Sequence, residues 1–297
     1  MDALTELRGL MRRYGTPEGY NPESLRGIRL SAATVPGAPV CSVEGPAFAM
    51  MLQGSKRTLI GDQTYDYATG EFLVISLEMP ITAKVVKASA EEPFLSFGML
   101  LNASEIANLL LTSSSLENGS LKAGAASGPG VGLSKASPEL MDAVLRMVRL
   151  LERPEDIPVV RPLVEREILW RLLTGPQGAL IRQIGLADSR LSQIGRTVSW
   201  IRRHFNQGMR MEDLAKMAGM SVSSFHRNFR SVTQMSPLQY QKQIRLQEAR
   251  AKLMQGISEI AAVGFAVGYE SPSQFSREYR RQFGVAPGQD AERMAGA

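Results

Sequence analysis

The C-terminal third of the chain carries one pattern twice, and that repeat constrains the fold more than any other feature. The first copy is LAKMAGMSVSSFHRNFRSVTQMSP, Leu214 to Pro237, and the second is VGFAVGYESPSQFSREYRRQFGVAP, Val263 to Pro287. The small residues Ala215 and Gly264 are each followed four positions later by a glycine, Gly219 and Gly268. From there Ser221/Ser271, Ser223/Ser273, Phe225/Phe275, Arg227/Arg277, Phe229/Tyr279, Arg230/Arg280 and Pro237/Pro287 stay in register at an offset of 50. The second turn holds one extra residue, which accounts for the offset of 49 upstream.

Each copy reads as a short helix, a turn and a second helix. The small residue lets the second helix approach closely, and the glycine ends the first helix because it enters the left-handed conformation cheaply. Ser221 and Ser271 stand where an N-cap is needed. At about 100° per residue, Val222, Phe225, Phe229 and Val232 share one face of the second helix, with Ser223, Arg227 and Arg230 opposite and His226 on the flank. In the second copy Phe275, Tyr279 and Phe283 form the apolar stripe; Ser273, Arg277, Arg280 and Arg281 face away, with Gln274 beside them. A guanidinium can pair with guanine O6 and N7, while hydroxyls and amides reach base edges or phosphates. A single basic face is often no more than solvated surface, but two in register point to DNA. Charge agrees: from Arg196 onward 15 Lys and Arg face 8 Asp and Glu, a net of +7, while the rest carries 19 against 21, a net of −2. The positive charge lies where a phosphate backbone would be met.

These residues resemble the AraC/XylS family of bacterial transcription regulators over about residues 196–290. The resemblance includes a connecting helix, Ser236 to Met254, begun by a capping serine and Pro237. It implies two reading helices held about one DNA turn apart, so that one chain contacts two successive major-groove segments. Carried over by position, the base-reading candidates are Ser223, His226 and Arg227, then Ser273, Gln274 and Arg277. Arg230, Arg280 and Arg281 are candidates for phosphates. Gly264 departs from the alanine common in the family and should weaken its helix by about 1 kcal/mol. Upstream, Phe48 to Leu101 resembles the AraC-type N-terminal domain, which implies a cupin-like β-barrel with helices over about residues 20–190, used for effector sensing and self-association.

The residues themselves support a β-rich segment. Phe48–Leu52, Thr58–Ile60, Glu71–Leu77, Ala83–Ala88 and Phe94–Leu101 read as strands, with turns at Gly54-Ser55, Gly61-Asp62, Thr69-Gly70 and Met79-Pro80. Such short, closely spaced strands suit a barrel or sandwich. Thr112 to Ser137 reads as a loop with room for short strands. Helical period returns at Pro138–Glu152, Val159–Leu173, Ala179–Leu186 and Arg190–Phe205, the last capped by Ser189. The apolar stripe of Pro138–Glu152 suits either a dimer seam or packing on its own barrel. Tyr65, Tyr67, Met50, Met51, Phe94 and Phe97 suit either a ligand cavity or the core, so no effector residue is assigned.

Absent chemistry narrows the function. Both histidines, His204 and His226, lie in the C-terminal region, so a histidine-ligated metal in the barrel is excluded, though an all-carboxylate site is not. The lone Cys41 forms no intrachain disulfide and has no histidine in its own domain to activate it; it reads as packing or as a sensor. No phosphate loop, apolar stretch of membrane-spanning length or secretory leader is apparent. The expectation is an α+β chain of two domains. Residues 1–190 form a cupin-like β-barrel with helices for effector sensing and dimerisation, and residues 191–297 form an all-α double helix-turn-helix. It is expected to be a cytoplasmic, non-enzymatic, sequence-specific DNA-binding regulator without cofactor or metal. Its expected partners are double-stranded DNA, RNA polymerase, an unidentified small-molecule effector and a second copy of the chain. The rival readings are a cupin-like enzyme with an attached DNA-binding segment and an architectural DNA protein without a ligand.

Overall fold

Two of the turns that carry the chain from one sheet to the other rest on glycine. Strand β3 (Ala47–Gln53) ends at Gly54, whose φ of +78° places the backbone in the left-handed region, and β4 (Ser55–Ile60) then enters a second sheet. A Cβ on Gly54 would lie 2.4 Å from the Lys87 carbonyl oxygen, so no other residue fits this corner. Gly70, φ +83°, returns the chain from β5 (Gln63–Ala68) to β6 (Glu71–Ile75) in the first sheet. The computed structural model describes residues 3–17, 19–112, 129–186, 189–255 and 259–295.

The remaining strands are β1 (Ile28–Ala33), β2 (Val40–Glu44), β7 (Met79–Lys87), β8 (Phe94–Leu100) and β9 (Val131–Lys135). All pairs are antiparallel, giving a five-stranded sheet in the order β1-β8-β3-β6-β9 and a four-stranded sheet in the order β2-β7-β4-β5. The α+β, two-part architecture is as expected, but the β region is two sheets around one core and not a closed barrel. Phe48 packs edge-on against Phe72 and Phe97 at centroid distances of 5.4 and 6.2 Å, and Met50, Met51, Phe94 and Tyr67 are buried with them. These side chains fill the core, and Tyr65 packs at its margin.

Met79 and Pro80 lie inside β7, not in a turn. Pro80 pairs only with Val43 of β2, because β4 pairs with β7 from Thr82 onward, so the missing N–H meets no second neighbour. Strand β9 falls within the segment read as a loop, whose residues 113–128 lie outside those described.

Helix α1 (Ala3–Tyr14) buries Leu7, Leu10 and Met11, and α2 (Ala103–Thr112) buries Ile106 and Leu109. Helix α3 (Pro138–Arg149) is capped by Ser137 and buries Leu140, Ala143, Val144, Leu145, Met147 and Val148 against α1 and α4 (Ile157–Thr174). That stripe is therefore spent inside the chain and is not a seam for a second copy. After α5 (Gly178–Gly185), the Ser189 side chain caps α6 (Arg190–Arg203). The C-terminal region continues as α7 (Met211–Met217), α8 (Val222–Thr233), α9 (Pro237–Met254), α10 (Ile260–Ala266), α11 (Pro272–Phe283) and α12 (Pro287–Ala295).

Candidate nucleic-acid interface

The two repeat copies fold by the same local chemistry. In the first, Gly219 (φ +67°) donates its N–H to the Lys216 carbonyl at 3.0 Å and Met220 N–H reaches the Ala215 carbonyl at 2.9 Å. In the second, Gly268 (φ +94°) bonds Phe265 at 2.9 Å and Tyr269 bonds Gly264 at 3.0 Å. This pair of bonds closes a helix end on a left-handed residue and satisfies carbonyls that would otherwise be orphaned. Ser221 and Ser271 then cap α8 and α11, accepting from Ser224 N–H (3.3 Å) and Gln274 N–H (3.4 Å).

Gly264 has a packing reason. A Cβ there would lie 3.0 Å from the Phe275 ring, so the missing methylene lets α11 seat Phe275 against α10. Phe275 and Tyr279 are fully buried and Phe283 half-buried; in α8 Phe225 and Phe229 are fully buried and Val232 nearly so. Val222 departs from the expected stripe. It is 38% exposed on the first turn, and Asn228, 9% exposed, is buried in the helix middle instead.

Between the units runs α9, whose Ser236 and Gln239 form a reciprocal capping box: Gln239 N–H donates to Ser236 Oγ (3.2 Å) and Ser236 N–H to Gln239 Oε1 (2.8 Å). Its 18 residues make a rod of about 27 Å. From α9, Gln241 and Arg245 donate to the carbonyls of Phe205 and Gln207 at 2.7–3.1 Å, clamping the loop on which Gly268 rests.

Outward from these helices, Ser223, Arg227 and Arg230 of α8 are exposed, as are Ser273, Gln274, Arg277, Arg280 and Arg281 of α11. His226 is half-buried, its ring 6.0 Å from that of Phe225. His204 ends α6, stacked on Trp200 at 4.5 Å with Nδ1 2.9 Å from the Trp200 carbonyl, a structural use. Among the described residues the ion pairs of this region are Arg202–Glu78, Arg210–Glu212, Lys242–Glu278 (2.8 Å) and Arg250–Asp290 (2.9 Å), and none engages Arg227, Arg230, Arg277, Arg280 or Arg281. Five cations on two repeated helices thus face outward without an ion-pair partner among the described residues.

Sequence reasoning missed the groups that hold the second unit together. Glu278 accepts from Lys242 Nζ and from the Tyr269 hydroxyl at 2.9 Å; Asp290 of α12 accepts from the Tyr279 hydroxyl at 2.8 Å. Burial raises the Glu278 carboxyl, but the hydrogen bonds from Lys242, Tyr269 and Gln274 outweigh it and leave it below the ordinary carboxylate value. Burial, then the bond to Asp290, pushes the Tyr279 hydroxyl far above its usual range, so it remains a donor. Apart from Gln274, four residues back on the same helix, these partners lie 9 to 36 residues away and follow no period.

A family profile described as "AraC-type transcriptional regulator N-terminus" matches residues 24–180, over half the chain, and one described as "Helix-turn-helix domain" matches residues 214–293. The chain belongs to the AraC-type transcriptional regulators. This AraC-type regulator is 27% identical over 271 residues to the virulence regulon transcriptional activator VirF of Yersinia enterocolitica, covering 90% of this chain and 96% of that one. It is 25% identical over 245 residues to the thermoregulatory protein LcrF of Yersinia pestis, covering 81% and 86%. A ToxT crystal structure from Vibrio cholerae O395, bound to (E)-4-(8-methylnaphthalen-1-yl)but-3-enoic acid, shares the fold with a TM-score of 0.52 at 9% identity, covering 89% of this chain and 99% of that one.

In the regulator the N-terminal sheets hold the first unit directly. Gly130 N–H donates to the Val232 carbonyl (2.9 Å), the Tyr240 hydroxyl to the Glu78 carbonyl (3.0 Å), and Arg202 pairs with the Glu78 carboxylate. Gly61 (φ +58°) sits so close to the end of α8 that a Cβ would be 2.4 Å from the Gln234 carbonyl oxygen. Beside this joint a cleft of about 320 Å³ opens between Leu59, Asp62 and Thr82 of the four-stranded sheet, Lys242 and Leu246 of α9, and Arg281 of α11. Cys41 lies nearby on β2, half-buried, its sulfur 3.3 Å from the Thr82 hydroxyl. No group of three or more His, Cys, Asp or Glu arranged to hold a metal, and no helix long and apolar enough to cross a membrane, occurs among the described residues.

Proposed function

We propose that this transcription regulator reads double-stranded DNA with α8 and α11 set in successive major-groove segments, α9 fixing their separation. Supporting this is the outward exposure of Arg227 and Arg277 at equivalent positions of two capped helices, neither engaged by a carboxylate among the described residues. Ser223, His226 and Arg227 read bases in one segment, and Ser273, Gln274 and Arg277 in the next. Arg230, Arg280 and Arg281 hold phosphates, and their charge supplies the sequence-independent part of affinity. Residues 1–190 form the sensing half and residues 191–297 the reading half. The protein acts in the cytoplasm, with RNA polymerase and a second copy of the chain as its further expected partners.

The reading extends to a small-molecule effector received by the N-terminal half; a crystal structure of the fold relative ToxT is bound to an organic acid. Such an effector works only by binding two arrangements of the two halves unequally, since equal binding shifts nothing. The joint at Glu78, Gly61 and Gly130 is where those arrangements differ. Selection of bound duplexes from a random pool tests the DNA reading. A site with two short preferred segments about 10 base pairs apart is expected; a low ratio of specific to non-specific affinity would instead indicate an architectural protein.

A further inference from the structure

The two copies share a polar brace that their sequences hide. At the seventh position of each reading helix, 50 residues apart, stand Asn228 and Glu278. Asn228 Nδ2 donates to the Ser224 hydroxyl (3.2 Å) and to the Met220 sulfur (3.4 Å). Glu278 accepts from the Gln274 amide nitrogen (3.4 Å) and from the Tyr269 hydroxyl (2.9 Å). With the extra turn residue allowed for, Met220 matches Tyr269 and Ser224 matches Gln274. In both copies, then, the seventh residue ties the turn to the first turn of the reading helix. The second brace is stiffer, because Lys242 of the connecting rod also holds Glu278 at 2.8 Å.

The chemistry of the two braces differs in what it leaves facing outward. An ionised carboxylate only accepts hydrogen bonds, so Glu278 can engage Gln274 only through its amide nitrogen. That turns the carbonyl oxygen of Gln274, an exposed side chain, away from Glu278. A carbonyl oxygen presented to the major groove accepts from the amino group of adenine or cytosine, and it meets only acceptors on guanine and a carbonyl and methyl on thymine. We propose that Glu278 is a positioning residue for base reading: anchored by Lys242 and Tyr269, it fixes the amide of Gln274 so that the base opposite is selected for an amino group, adenine or cytosine over guanine or thymine. The proposal rests on the assignment of α11 as a base reader.

The test is selection of bound duplexes from a random pool by the full-length protein and by Gln274→Ala, Glu278→Ala, Glu278→Gln and Arg277→Ala. Gln274→Ala should identify the base pair concerned, where the unaltered protein prefers adenine or cytosine by about fivefold or more. Glu278→Ala should lose that preference to the same extent, and adding it to Gln274→Ala should cost nothing further at that base pair. The preference governed by Arg277 should survive in both. Glu278→Gln keeps an oxygen for the Tyr269 hydroxyl but lets the Gln274 amide turn over, so guanine or thymine should become acceptable at the same base pair. It also provides the reading should Glu278→Ala fold poorly. Undiminished preference at that base pair in both Glu278 variants, or an even loss across all base pairs, would overturn the proposal. If instead Gln274→Ala and Arg277→Ala change no base preference, the assignment of α11 itself falls.

Discussion

The two reading units look alike in sequence and sit in different mechanical surroundings. Phe225, Phe229, Val232, Met235 and Tyr240 of the first unit and its rod belong to the same buried core as the N-terminal sheets. The second unit has a core of its own, built from Leu246, Ala249, Leu253, Val263, Val267, Tyr269, Phe275 and Tyr279. It is tied to the rod by the apolar Leu246, Ala249 and Leu253 of α9 and by the ion pairs Lys242–Glu278 and Arg250–Asp290. A repeat of sequence is thus not a repeat of stability. The first unit opens with the large core, whereas the second, closed around few apolar side chains, can open by itself. Under the proposed effector reading, a signal from the N-terminal half would act first on α8 and the start of α9, which share its core.

The largest effects should come from emptying each core. Phe229→Ala and Phe275→Ala should each cost about 3–5 kcal/mol. Both tryptophans, Trp170 and Trp200, lie outside the second unit, so their fluorescence should report a lowered midpoint for Phe229→Ala. For Phe275→Ala that midpoint should stay nearly unchanged while amide exchange accelerates over residues 260–283. Equal fluorescence shifts would merge the two units into one.

A smaller effect tests the joint. Gly61→Ala puts a Cβ into the Gln234 carbonyl at a left-handed position and should cost more than about 1 kcal/mol. Amide exchange should rise at Gly130 and Tyr240 and not in α11. Acid should separate the units next. The Glu278 carboxyl titrates below its ordinary value of 4.5, so its stabilising contribution is present above that value and is lost as pH falls through the lower folded value. The matching residue of the first unit, Asn228, does not titrate. The second unit should therefore loosen first below about pH 4.5, and Glu278→Gln should flatten that dependence in an acid titration followed by amide exchange. The smallest effect is on salt. Arg281→Ala should weaken binding to all sequences alike and reduce the slope of log affinity against log salt by about 1.

What was legible in the sequence is what short-range chemistry decides. The capping serines 189, 221, 236 and 271, the left-handed Gly219 and Gly268 and the connecting rod all act within five residues and appear where expected. The outward faces of α8 and α11 follow from helical period, apart from Val222, which lies on the first turn and stays 38% exposed. Strands β1, β2, β5 and β9, each at the edge of its sheet, escaped; β5, QTYDYA, buries only Tyr67. The open sheets, the covering of the α3 stripe by α1 and α4, and the place of Pro80 depend on partners far along the chain. The same holds for Glu278, whose meaning comes from Lys242, 36 residues away.

The most direct test of the two-helix reading is the base preference of full-length Arg227→Ala and Arg277→Ala, each measured on duplexes varied one base pair at a time. Each variant should lose about 1–3 kcal/mol of discrimination at a single base pair, with the two base pairs about 10 apart on the same site. Loss at the same base pair in both, or unchanged discrimination in either, would contradict it.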